Sequence, residues 1–189
     1  MSHTASLIQA KQWYLSDSLQ STLIKAFLGS LIIALFAQIS IPLQPVPITG
    51  QTLGVTIVGF ALGAKAGTGA VLMYLLEGAL GLPVFAGGAS GYAALLGKTG
   101  GYLIGFIPSA WVLGYASDKG VLNHKWATLG VALLSAAITF AFGLLQLSFF
   151  VPADKLLQFG LIPFIPGGVI KALIASALII PAYNFFKKI

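Results

Sequence analysis

Few side chains in this sequence can move protons or hold metals. The carboxylates are Asp17, Glu77, Asp118 and Asp154, and the imidazoles are His3 and His124. No two of them stand three or four residues apart, the spacing that places an acid beside a base, or two metal ligands, on one helix face. His124 lies between Asn123 and Lys125 in a basic stretch, where solvation is the ordinary fate. No cysteine is present, so disulfides and thiolate metal sites are excluded. No serine sits in a nucleophile-elbow pattern. Gly97-Lys98-Thr99 ends like a P-loop, but Tyr92 stands where the first glycine of G-x-x-x-x-G-K-[ST] belongs. These patterns predict neither an enzyme nor a nucleotide site. They predict no metal and no cofactor.

Two ionisable residues remain. Glu77 sits in Tyr74-Leu75-Leu76-Glu77-Gly78, and Lys171 follows Pro166-Gly167-Gly168-Val169-Ile170. Both interrupt apolar runs. A charge in a bilayer costs about 2.5–3.5 kcal/mol on insertion scales, so such residues face a cavity or a partner. Either the two pair with each other, or one or both line a pocket. Lys171 is the better ligand group, because an ammonium suits a carboxylate.

The elements that position them are dictated by composition. The chain has 189 residues, 58% hydrophobic and 7% charged, with a mean hydropathy of +0.97. Soluble domains carry about 25% charged residues, so the bilayer must be the solvent here. Six apolar segments are predicted, at about 22–41, 51–62, 67–81, 100–116, 126–151 and 168–186. This is an all-α membrane protein of six transmembrane helices, a single integral membrane domain over 1–189 with a polar N-terminal segment at 1–20. That segment lacks the features of a signal peptide. The second and third segments are short and joined through Gly63-Ala64-Lys65-Ala66-Gly67. Short, glycine-interrupted helices are expected to break beside a cavity.

All ten cations are lysines, and net charge is +6. With six spans, Lys11, Lys25, Lys65, Lys119, Lys125, Lys187 and Lys188 share one side, against Lys98 and Lys155 on the other. The positive-inside rule then places both termini in the cytoplasm. Scattered as they are, the lysines give no reason to expect nucleic acid. The outer connections, at 41–51, 82–101 and 152–167, are rich in proline and glycine and poor in charge. They are expected to fold back over the bundle as a lid, above a pocket that opens outward. Small residues recur at helical spacing in Ala26, Ser30 and Ala34, and in Gly59, Gly63 and Gly67. Such stripes allow close helix packing or docking of another membrane protein.

These loops resemble those of the BioY family, the biotin-specific S-components of energy-coupling-factor (ECF) transporters. The resemblance rests on Gln38-Ile39-Ser40-Ile41-Pro42-Leu43, on Pro45-Val46-Pro47-Ile48-Thr49 with Gln51-Thr52-Leu53, and on Gly81-Leu82-Pro83-Val84-Phe85-Ala86-Gly87-Gly88 with Gly91. It extends to Thr99-Gly100-Gly101-Tyr102-Leu103 and to Pro163-Phe164-Ile165-Pro166-Gly167 with Lys171. It covers most of the chain after Thr22.

The resemblance implies high-affinity biotin binding and uptake, in a multi-pass protein of a bacterial or archaeal cell membrane. It implies a membrane coupling subunit and two cytoplasmic ATPases as partners, docked through Ala26, Ser30 and Ala34. An S-component for thiamine or riboflavin, a self-sufficient carrier of small organic acids and a ligand-free membrane adaptor are the alternatives. For biotin, backbone around Phe85, Gly87, Gly88 and Gly91 is expected to supply polar contacts. Tyr74, Phe85 and Tyr92 would pack the rings, and Thr49 and Gln51 would add hydrogen bonds. Lys171 would pair the carboxylate and Glu77 would accept a ureido N–H. The chain departs from the family in having Lys98 where proline is frequent before Thr99-Gly100-Gly101. It also has Gly168 where aspartate is common before the lysine.

Overall fold

The fold is described from a computed structural model, which covers residues 18–188, with side chains to residue 185. Lys11, the residues before it and Asp17 lie outside the described residues, as do the side chains of Lys187 and Lys188. The major helices are α1 (Leu19–Ala37), α2 (Gln51–Ala79), α4 (Gly100–Asp118), α5 (Lys125–Leu147) and α7 (Ile165–Lys188). Two short helices, α3 (Tyr92–Leu96) and α6 (Leu156–Gly160), sit within connections. Strands β1 (Ser40–Ile41) and β2 (Ile48–Thr49) pair antiparallel, with Ser40 opposite Thr49.

Helices α1 and α5 carry large apolar residues outward, and their sidedness is set mainly by residue size. On α5, Thr128, Ala132, Ser135, Thr139 and Gly143 face inward, while Leu133, Leu134, Phe142 and Leu145 are exposed. On α1, Ala26, Gly29, Ser30 and Ile33 are buried, while Leu23, Phe27, Leu31 and Leu35 are exposed. Small residues inside and large apolar ones outside reverse the arrangement of a water-soluble bundle. In lipid nothing drives leucine inward, and close packing selects small residues instead.

α2 is a helical hairpin. Gly63, at φ 76° and ψ 179°, separates arms 51–62 and 64–79. The fold-back is proved by a hydrogen bond of 2.6 Å from Gln51 Nε2 to Tyr74 OH. In a straight helix those residues would be about 35 Å apart. Gly59 and Gly67 meet where the arms cross, so their stripe serves internal packing. Counting each arm, the six predicted segments are present. Among the described residues, four helical segments are long and apolar enough to cross a membrane by length and composition alone, α2 counted whole. The arms are about 17 and 23 Å long, short of a ~30 Å hydrocarbon layer.

The break at Gly63 does not face a cavity, contrary to expectation. Asp118 Oδ2 accepts from Ala64 N–H at 3.0 Å, and Ser117 Oγ donates to Phe60 O at 2.7 Å. The C-terminal end of α4 thus satisfies the freed backbone groups at the lysine-rich end of the bundle. The cavity lies at the other end, where the first arm begins. α2 packs against α1 and α4, α4 against α5, and α7 against both α2 and α5.

All three outer connections fold over that end. Val46, from the β1–β2 loop, is buried with Tyr102, Leu147 and Phe164. Tyr102 OH donates to Gly160 O at 2.8 Å. Gln146 Nε2 donates to Leu95 O at 3.0 Å and to Gly97 O at 2.7 Å. These polar ties, with few charges among them, hold the loops down as a roof.

Candidate functional site

Beneath the roof lies a cavity of about 270 Å³, near the lower end of ligand-pocket sizes. Its walls come from the first arm of α2, from α4, α5 and α7, and from the loops above. Most of it is apolar. Phe85, Tyr102, Phe106, Phe140 and Phe164 supply aromatic surface, and Ala86, Ala89, Ala132 and Ala136 leave the room.

Lys171 is its one cation among the described lining residues. The ammonium donates to Thr49 O at 2.6 Å and to Thr52 Oγ1 at 3.2 Å. An ammonium has three protons, so one remains for a ligand. Thr49 Oγ1 donates to Gln51 Oε1 at 2.9 Å, and Gln51 Nε2 donates to Tyr74 OH. The amide has a second N–H to offer, and Gln51 lines the cavity. Donors therefore gather near the β2–α2 junction.

The deeper wall is complementary. Thr56 Oγ1 donates to Thr52 O at 2.7 Å, Ser109 Oγ to Ser135 O at 2.8 Å, and Ser135 Oγ to Ala132 O at 2.8 Å. Ser109 and Thr139 hydroxyls lie 2.8 Å apart. With the Ser109 proton already engaged, Thr139 is left to donate to it. Each hydroxyl has one proton, and all four are spent on protein. What Thr56, Ser135 and Thr139 present to a ligand is lone pairs. This wall selects for N–H or O–H donors.

Of the residues singled out from sequence, Thr49, Gln51, Phe85 and Lys171 line the cavity, as does Gly168. Tyr74 is buried behind the wall, edge-on to Phe85 with ring centroids 5.4 Å apart. Phe85 is seated because Gly78 has no side chain; a Cβ there would fall inside its ring. Tyr92 is 65% exposed on α3 and turned away.

Gly87, Gly88 and Gly91 are not in the wall either. The loop spends its own amides: Phe85 N–H on Ala89 O, Gly88 N–H on Phe85 O, and Gly91 N–H on Gly78 O. These turns point Ala86 and Ala89 inward instead. Glu77 belongs to another interface, where its Oε1 accepts from Ser30 Oγ at 2.8 Å. It neither pairs with Lys171 nor reaches the cavity. The proposed docking stripe is likewise internal: Ala26 and Ser30 are buried against the second arm of α2, and Ala34 is half-buried.

The hydroxyl wall was not anticipated. Its signal is the run Thr128, Ala132, Ser135, Thr139, Gly143 on α5, small or polar at every third or fourth position. Among the described residues, no cluster of histidine, cysteine and carboxylate side chains could hold a metal.

A model of the BioY family matches residues 8–188. The chain is 42% identical over 157 residues to a Thermotoga maritima protein named biotin transporter BioY, covering 82% of this chain and 92% of that one. It is 39% identical over 172 residues to a Rhizobium etli protein of the same name, covering 85% and 91%. Among solved structures it resembles the S-component for biotin from an ECF-type ABC transporter. The TM-score is 0.80 at 28% identity, over 89% of this chain and 95% of the other.

Proposed function

The chain belongs to the BioY family, and on that premise we propose that it captures biotin in the roofed cavity as the S-component of an ECF transporter. The observation that carries this reading is the separation of polar groups. Donors (Lys171 and Gln51) stand near the β2–α2 junction, acceptors (Thr56, Ser135 and Thr139) stand deeper, and apolar surface lies between.

Biotin is built in the same order. Its carboxylate pairs with the remaining Lys171 proton and the free Gln51 N–H. Its valeryl chain and thioether ring pack on Phe85, Phe106 and Phe140. Its ureido N–H groups donate to the hydroxyl wall. Gly168 replaces the carboxylate common in the family, and the hydroxyls take over part of its acceptor role. The cavity lies at the end opposite Lys65, Lys119 and Lys125, so it opens outward under the positive-inside rule. The protein is a multi-pass cell-membrane protein with cytoplasmic termini. A membrane coupling subunit and two cytoplasmic ATPases supply the energy for release, since this chain carries no P-loop of its own.

Calorimetric titration of the purified full chain tests the reading. Biotin should bind near one equivalent, and thiamine and riboflavin should not. Biotinol, which lacks the carboxylate, should bind at least tenfold more weakly than biotin to the parent. To Lys171→Ala it should bind as well as biotin does, because the discriminating charge is gone. Equal preference for biotin over biotinol in both proteins would remove Lys171 from the carboxylate site. Absence of biotin binding by the folded parent would overturn the function.

A further inference from the structure

A second hollow of about 320 Å³ lies between the beginning of α5 and the end of α7. It shares no lining residue with the biotin cavity. It occupies the lysine-rich half of the bundle, where Lys119 and Lys125 flank the α4–α5 connection. Three features mark it at three depths. At its mouth, Lys125 and Trp126 are exposed, with Nζ 5.6 Å from the indole centroid. Lysine beside tryptophan is the side-chain pair of the membrane–water interface. Its walls are the apolar side chains of Leu129 and Leu173. Between mouth and floor, Ser176 is 7% exposed and its Oγ is buried with no partner. A serine inside a helix ordinarily returns its proton to a carbonyl one turn back; this one does not. Pro181, on the mouth side, is about 7–8 Å of helix rise away from Ser176.

We propose that this groove seats an anionic phospholipid of the inner leaflet. Lys125 holds the phosphate at the headgroup level. The Ser176 hydroxyl donates to an ester oxygen about one and a half turns deeper. The acyl chain lies along Leu129 and Leu173. An anionic lipid answers the cation, the orphaned donor and the apolar walls together, in the order in which the helices present them. The net charge of +6 adds a favourable field for it.

Native mass spectrometry of the detergent-purified full chain tests this, with phosphatidylglycerol and phosphatidylcholine of identical acyl chains as probes. The parent should retain one phosphatidylglycerol in preference to phosphatidylcholine. Lys125→Ala should lower that preference about fivefold, the worth of one lysine near a charged surface. Ser176→Leu should fill the groove and abolish retention of both lipids. Should that variant fail to fold, Leu173→Trp blocks the groove from a half-exposed position. Equal retention of the two lipids by the parent overturns the proposal, as does an unchanged preference in Lys125→Ala. Release of the lipid by millimolar inorganic phosphate would show a free-anion site instead. If Lys125→Ala keeps the lipid preference but loses a coupling subunit, the groove is a protein-docking face and the lipid assignment falls.

Discussion

At the residue scale, proton counting decides what the cavity can recognise. A serine or threonine can donate or accept, so its presence in a wall says little. Here the protons of Thr56, Ser109, Ser135 and Thr139 are all taken by protein oxygens, and the wall becomes an acceptor surface. Thr139→Val keeps the shape and removes an acceptor. Ser109 still bonds Ser135 O, so the variant should fold. Biotin affinity should fall about fivefold, from one lost hydrogen bond of about 1 kcal/mol, and calorimetry would show it. Unchanged affinity would exclude Thr139 from the site. Gly168 permits the opposite experiment. A Cβ there would meet only Phe140 ring carbons, at 3.7 and 3.9 Å. Gly168→Asp should be accommodated and tighten biotin about tenfold through a charge-assisted bond. Weaker binding would mean that the new carboxylate neutralises Lys171 instead.

At the element scale, two glycines hold the site in place for different reasons. Gly63 adopts φ 76°, ψ 179°, a region open essentially to glycine alone. A side chain there costs about 1–3 kcal/mol. Its Cβ would also strike Asp118 Oδ1. Gly63→Ala should therefore lower the detergent melting temperature. Adding Asp118→Ala should not restore it, because that change relieves the clash but also strands the Ala64 N–H and leaves the backbone strain. A melting temperature equal to the parent's would show that the hairpin does not depend on this turn. Gly78 serves packing, since its bare Cα receives the Phe85 ring. Gly78→Ala should displace Phe85 and weaken biotin binding at least tenfold. Phe85→Leu in the same chain should recover thermal stability more than affinity. A Gly78→Ala variant with parental affinity would mean that Phe85 is not needed in the wall.

At the scale of the whole molecule, the faces of α1 decide how a partner can dock. Ala26 is 3% exposed and Ser30 is fully buried, so both are committed to the α1–α2 seam. The face left open carries Leu23, Phe27, Leu31 and Leu35. Ala26→Trp should then lower thermal stability and biotin binding together with assembly. A variant that binds biotin normally but no longer assembles would show instead that the seam opens to admit a partner.

The number of apolar segments, their all-helical character and the charge difference between the two ends were legible from the chain alone. In a bilayer each span must satisfy its own backbone, and that constraint is local. Lys171 was legible too, because a cation in an apolar run is costly wherever the run folds. The direction of other side chains was not. Glu77 and Lys171 look alike in sequence, yet one meets Ser30 on α1 and the other turns to Thr49 and Thr52. Tyr74 and Phe85 look alike as aromatics, yet only Phe85 reaches the cavity. The hydroxyls of α4 and α5 became one wall only when those helices packed together. Tertiary structure decided these matters, because small-residue packing in lipid depends on which faces meet, and no single helix carries that information.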